Sequence, residues 1–125
     1  MQVTTHLPLE AGSARAAREL IDPLRAQLGP RAFEDLLQVT SELAAACIEH
    51  GGEAGPMEVT AAASEAGTWV EVGCPKGHTM PQMIDPSRAP GASGMGLWIV
   101  DRLASDWHVH DDGRRIVLRV QLATG

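Results

Sequence analysis

Arg31 to Gly51, RAFEDLLQVTSELAAACIEHG, decides the fold. Its apolar residues Phe33, Leu36, Leu37, Leu43, Ala44, Cys47 and Ile48 recur at intervals of three and four, the period of a helix with one face in a core. A second stripe on the same helix carries Asp35, Gln38, Glu42, Ala46 and Glu49. Glu42 and Ala46 therefore sit one turn apart and look in the same direction.

Upstream, Thr4 to Leu9 reads as a short edge strand closed by Pro8. Gly12 and Ser13 offer an N-cap for a helix over Ala14 to Leu28, with Ala17, Leu20, Ile21, Leu24 and Leu28 on one side. Pro23 falls inside that helix and predicts a kink or break near Ile21 to Pro23, since an interior proline costs about 3 kcal/mol. Gly29 and Pro30 stop this helix and start the next.

Downstream, Gly51, Gly52 and Gly55 end the central helix, and Met57 to Ser64 and Thr68 to Cys74 follow as strands joined by a turn at Glu65 to Gly67. Alternation in the second strand puts Val70, Val72 and Cys74 on one face, Trp69 and Glu71 on the other. Residues 75–93 hold four prolines in PKGHTMPQMIDPSRAP and read as a lid loop. Then GASGMGLWIVDRLAS sets Gly91, Gly94 and Gly96 ahead of the helical run Leu97, Ile99, Val100, Leu103. Glycines at a helix start allow close backbone approach, and the free amides there suit an anion. Asp106 to His110, a DDG turn at Asp111 to Gly113 and Arg114 to Leu122 complete a hairpin, with Ile116, Leu118, Val120 and Leu122 facing inward. The element order predicts one α+β domain over 1–125. It is a two-layer α/β sandwich with a mostly antiparallel mixed sheet covered on one face by helices.

A chain of 125 residues with 44% hydrophobic content supports one core. The net charge of -6 speaks against nucleic acid and anionic membranes as partners, because phosphate surfaces need clustered Lys and Arg. No stretch approaches the roughly 18 apolar residues of a membrane span, and the first residues lack a signal pattern. Two cysteines make no disulfide framework and suit a reduced, cytoplasmic setting.

Other chemistry is thinly supported. Cys74, His78 and His50, or His108 with His110, lack the spacing of a four-ligand zinc site. A Cys74 nucleophile with His78 or His50 as base lacks a third orienting group. The glycine run is no dinucleotide fingerprint, since a proline loop rather than a strand precedes it. The tryptophans Trp69, Trp98 and Trp107 read as core or core-edge residues, and Arg88 and Lys76 as lid charges.

Three segments, SELAAACIEHG, the strand VEVGCP with its loop, and GASGMGLWIVDRLASDW, resemble in order and spacing the GHKL superfamily of histidine-kinase-like ATPases. They cover nearly the whole chain. Its small size and the Glu42 to Gly51 ending look most like the anti-sigma factor serine kinases of bacterial partner switching. Those proteins bind an RNA polymerase sigma factor and phosphorylate a serine on an antagonist protein. The resemblance implies that Glu42 is the general base or water-positioner near the γ-phosphate. It also implies that Gly94, Gly96 and Leu97 form the phosphate-contacting helix start, and that Gly77 lies in the nucleotide-binding loop.

Two positions depart from the family. Its magnesium-holding asparagine is Ala46 here, and magnesium wants oxygen ligands that a methyl group cannot supply. The aspartate that accepts the adenine amino group aligns with Cys74, and an unpaired amino group there costs roughly 1 to 3 kcal/mol. The loop CPKGH also lacks the usual D-x-G-x-G spacing. The expectation is a regulatory protein that binds a sigma factor or antagonist-type partner, with weak or lost Mg-ATP binding and a vestigial Glu42. The alternatives are an active serine/threonine kinase with magnesium held from elsewhere, for instance by Glu49, and a binder of another small ligand in the remodelled pocket. The family habit of pairing through its first strand and helix makes a homodimer an expectation too.

Overall fold

The computed structural model describes residues 1–52, 55–76 and 95–122, and for His50 and residues 95–98 the backbone only. Its elements are β1 (Gln2–Leu7), α1 (Ser13–Leu20), a 3-10 segment (Asp22–Gln27), α2 (Pro30–His50), β2 (Met57–Ser64), β3 (Gly67–Pro75), α3 (Met95–Leu103), β4 (Ala104–Asp111) and β5 (Arg115–Leu122). The strands form one five-stranded sheet in the order β1-β2-β3-β5-β4. Every described ladder is antiparallel, so the sheet is α+β as expected but contains no parallel pair to make it mixed. The connection through α3 brings β4 in parallel to β3, and β5 then inserts between them.

The central helix is the longest element, 21 residues with Gly29 at its N-cap and a proline in its first turn. Proline costs nothing there, because the first N–H groups of a helix have no internal partner. The break expected near Pro23 is present. The first helix ends at Leu20, and Pro23 falls in the first turn of the 3-10 segment that begins at Asp22. Gly12 rather than Ser13 holds the N-cap of α1, with no side-chain cap, and Ser13 is buried. The first strand runs two residues earlier than Thr4 to Leu9. Its pairing begins at Gln2 opposite Ala62, and the Met1 amine donates to the Ala63 carbonyl at 2.9 Å. Pro8 ends it, and a turn closed by Glu10 N–H to the Pro8 carbonyl follows.

The β2–β3 turn depends on Gly67, whose φ of +139° favours glycine, and a Cβ there would meet the Gln121 amide at 2.6 Å. The inner face of the sheet carries Val59, Ala61, Val70, Val72, Ile116, Leu118 and Val120, all sealed from solvent. Phe33, Leu36, Val39, Leu43 and Cys47 of α2 close the core from the helical layer. On the outer face the Arg119 guanidinium lies 4.0 Å over the Trp69 ring and pairs with Glu71 at 3.1 Å. Trp69 and Trp107 are half-buried, as core-edge residues are. Among the described residues no helix is long and apolar enough to cross a membrane.

The structure also carries β3 one residue past Cys74. Pro75 pairs opposite Arg115, and its carbonyl accepts from the Gly52 amide at 2.9 Å. Residues 77–93 of the expected lid, with Gly77, His78 and Arg88, lie outside the described residues, and so does Gly94.

Candidate functional site

Of the second stripe of α2, Gln38 and Glu42 lie by Arg18 of α1. Glu42 is half-buried, and its Oε1 accepts from Gln38 Nε2 at 3.2 Å, one turn earlier on the same helix. Around this pair a groove of about 500 Å³ runs between α1 and α2, lined by Arg18, Glu34, Leu37, Gln38, Ser41 and Glu42. Arg18 stands in the last turn of α1, where a cation complements the carbonyl end of the helix. Sequence periodicity missed Arg18, Glu34 and Ser41, because their shared groove exists only once α1 packs on α2. The exposed Arg18 at a helix end was the available signal.

Ala46 follows Glu42 by one turn but is only 3% exposed and belongs to the core cluster. Cys74, near the end of β3, is fully buried. The Cys74 side chain, together with burial, pushes the thiol of Cys47, in the last turn of α2, well above its ordinary value of 9.0. The two positions thus present a methyl group and a buried thiol. Neither offers an oxygen to a magnesium ion or a strong acceptor to an amino group.

Gly96 and Leu97 lie in the first turn of α3. This helix packs on α2, and α2 packs on β3, so the element bearing Glu42 touches both the one bearing Gly96 and the one bearing Cys74. The end of β3 is fastened on its other side as well. Lys76 Nζ pairs with Asp111 Oδ2 at 2.7 Å, and the Lys76 amide donates to the Arg114 carbonyl at 3.0 Å. The Lys76 ammonium, helped by the Gly113 amide, holds the Asp111 carboxyl below its ordinary value.

Among the described residues no three His, Cys, Asp or Glu side chains come together as a metal site. His108 faces Asp106 at 3.8 Å on an exposed strand. The bases weighed for Cys74 are not among the side chains described: His78 lies outside the described residues, and of His50 only the backbone is described.

The model of the histidine kinase-like ATPase domain matches residues 7–122 of the chain. Among solved structures, the fold is similar to that of the RsbU and RsbW domains of Rv1364c from Mycobacterium tuberculosis, with a TM-score of 0.74 and 15% sequence identity. That match covers 98% of this chain and 32% of the other, so the chain spans about a third of that protein's length. At this identity the likeness is one of fold. No curated protein matches the chain at a significant level.

Proposed function

We propose, from the premise that the chain belongs to the histidine kinase-like ATPase domain family, that it is a regulatory member that works by binding a protein. The partner is a sigma factor or an antagonist-type protein of a bacterial partner-switching system, met in the cytoplasm, and Mg-ATP binding is weak or lost. One observation carries this reading: Ala46 is a buried methyl group and Cys74 a fully buried thiol, where the family places a magnesium ligand and an adenine acceptor. Glu42 survives beside a polar groove that is open to a partner's side chains. The fold likeness to a structure containing an RsbW domain agrees with this placement.

A homodimer belongs to the same reading and is supported by the contrast between the two sheet edges. The edge strand β4 carries a bulge between Ala104 and Asp106 and the side chains Asp106, His108, His110 and Asp111, devices that discourage strand addition. The other edge, β1, pairs in unbroken register and bears a single titratable side chain, His6. A second copy adding to β1 would continue the sheet. Light scattering that returned the mass of one chain would remove the dimer from the proposal.

The decisive experiment is calorimetric titration of ATP and of ADP, each with and without magnesium, into the purified chain. No heat at millimolar nucleotide is the expected result. Micromolar, magnesium-dependent binding would replace the proposal with an active serine kinase. The next assay would then be phosphate transfer to a partner's serine, with Glu42→Gln as the control.

A further inference from the structure

A cleft of about 590 Å³ lies where α3 ends and β4 begins, on an edge strand of the sheet. Its walls include Asp101 of α3 and Asp106, Trp107, His108 and Val109 of β4. Trp107 and Val109 are half-buried and pack on the core, whereas Asp106 and His108 stand exposed on the opposite face of the strand. The cleft therefore wraps around the strand edge and takes in its backbone. The indole Nε1 of Trp107 donates to Asp101 Oδ1 at 2.8 Å, which holds the ring beside the carboxylate. Asp106 Oδ2 stands 3.8 Å from His108 Nδ1, with both side chains mostly in solvent. A carboxylate accepts through two oxygens, so each aspartate keeps acceptor capacity after these contacts. Among the described lining residues there is no lysine or arginine.

Hydrogen bonds at the hairpin end set which backbone groups of β4 are free. The Asp112 amide donates to the Arg115 carbonyl at 3.1 Å, so these two residues form a bonded pair. Bonded pairs recur at every second residue of an antiparallel ladder. His110, His108 and Asp106 thus exchange bonds with Val117, Arg119 and Gln121, while the amides and carbonyls of Trp107 and Val109 point away from β5. The far side of β5 agrees, because the Lys76 amide donates to the Arg114 carbonyl, a phase that gives Ile116, Leu118 and Val120 to β3. The register runs unbroken from Asp106 to Asp111, so the bulge before Asp106 leaves this stretch intact.

We propose that this edge takes an extended, basic segment of a partner protein as an added strand, paired through the backbone of Trp107 and Val109. Successive side chains of such a segment fall on opposite faces of the sheet. An arginine on the helical side meets the Asp101 carboxylate and the Trp107 ring, and its neighbour on the outer side meets Asp106. A guanidinium suits both places, because it pairs with a carboxylate through a planar fork and stacks on an indole. The same charges turn away a second copy of the chain. Two β4 edges side by side would set Asp106 and Asp111 of one chain, with its net charge of -6, against those of another. The edge thus selects its strand by repulsion as well as by attraction.

The test titrates a short fluorescent peptide of valine and threonine, with two adjacent central arginines, into the full chain and follows anisotropy and amide hydrogen exchange. Saturable binding is expected, with new protection at the Trp107 and Val109 amides and little change at His108, whose amide β5 already holds. Replacing Asp101→Asn together with Asp106→Asn should weaken binding about three- to tenfold, the range of two exposed ion pairs. Asparagine at 101 still accepts from the Trp107 indole. Glu65→Gln, which removes a charge at the β2–β3 turn, should leave binding unchanged. N-methylation of the peptide's central amides should abolish it, and this arm needs no change to the protein. No saturation at millimolar peptide, protection confined to other strands, or binding that survives either N-methylation or the double substitution would overturn the proposal. Nucleotide titration bears on a different site, so this inference and the proposed function fail separately.

Discussion

The Gly52 amide donates to the Pro75 carbonyl at 2.9 Å, which fastens the end of α2 to the end of β3 at the point where the helix stops. The preceding residue, Gly51, has an ordinary φ of -69°, so its glycine is required by space and not by backbone angle. A Cβ there would stand 2.5 Å from the Cys47 carbonyl oxygen and 3.1 Å from Leu9 Cδ1. Gly51→Ala should therefore cost about 1 to 3 kcal/mol, the range of overpacking. Gly12→Ala, whose Cβ meets nothing within 4 Å, should change stability by less than about 0.5 kcal/mol. Urea unfolding of the two variants checks the contrast, and equal losses would contradict it.

Alkaline pH should weaken the fold through Cys47. Its folded value is raised, so the unfolded chain gives up the thiol proton first, at about the ordinary 9.0. The stabilisation is complete below that pH and is lost as pH climbs through the folded value. Thermal melts of the reduced protein between pH 8 and 11 should show a decline that Cys47→Ser flattens.

At the other end of the scale, Asp111 is held low by Lys76 and by the Gly113 amide. A depressed carboxylate stabilises the fold above its ordinary value of 3.8, and this contribution disappears as pH falls through the lowered one. Lys76→Met should make the melting curve less steep with acid below about pH 4. An unchanged acid limb would mean that the pair at 2.7 Å is screened out by solvent.

On the outer face of the sheet, Arg119 stacks on Trp69 and pairs with Glu71 while remaining 40% exposed. Arg119→Ala should cost about 1 kcal/mol, and Arg119→Lys should recover less than half of it, because an ammonium lacks the planar stacking surface. The shift of Trp emission in the two variants gives an independent reading of the lost contact.

Restoring the family residues should separate fold from ligand. Cys74→Asp buries a carboxylate, and Ala46→Asn puts an amide into a core position, so the double variant should lose several kcal/mol without ligand. ATP with magnesium should then return part of that loss as a nucleotide-dependent rise in Tm that the natural chain does not show. A double variant that folds but binds no better than the natural chain would refute the assignment of Ala46 and Cys74 as the lost ligand positions.

The amino-acid sequence by itself determined the local elements: α2 from its three-and-four spacing, the break at Pro23, the face of β3 that carries Val70, Val72 and Cys74, and the inward row of β5. These follow from periodicity and from backbone limits within a few residues, which need no knowledge of neighbours. The tertiary structure alone decided which strands are adjacent, with β5 between β3 and β4, and which stripes meet. It put Arg18 and Glu42 on one groove, drew Ala46 into the core and buried Cys47 and Cys74 in the same cluster. Periodicity marks a face as apolar or polar but does not say what that face packs against. That depends on how helix and sheet cross, and the crossing is settled by close packing of residues far apart in the chain.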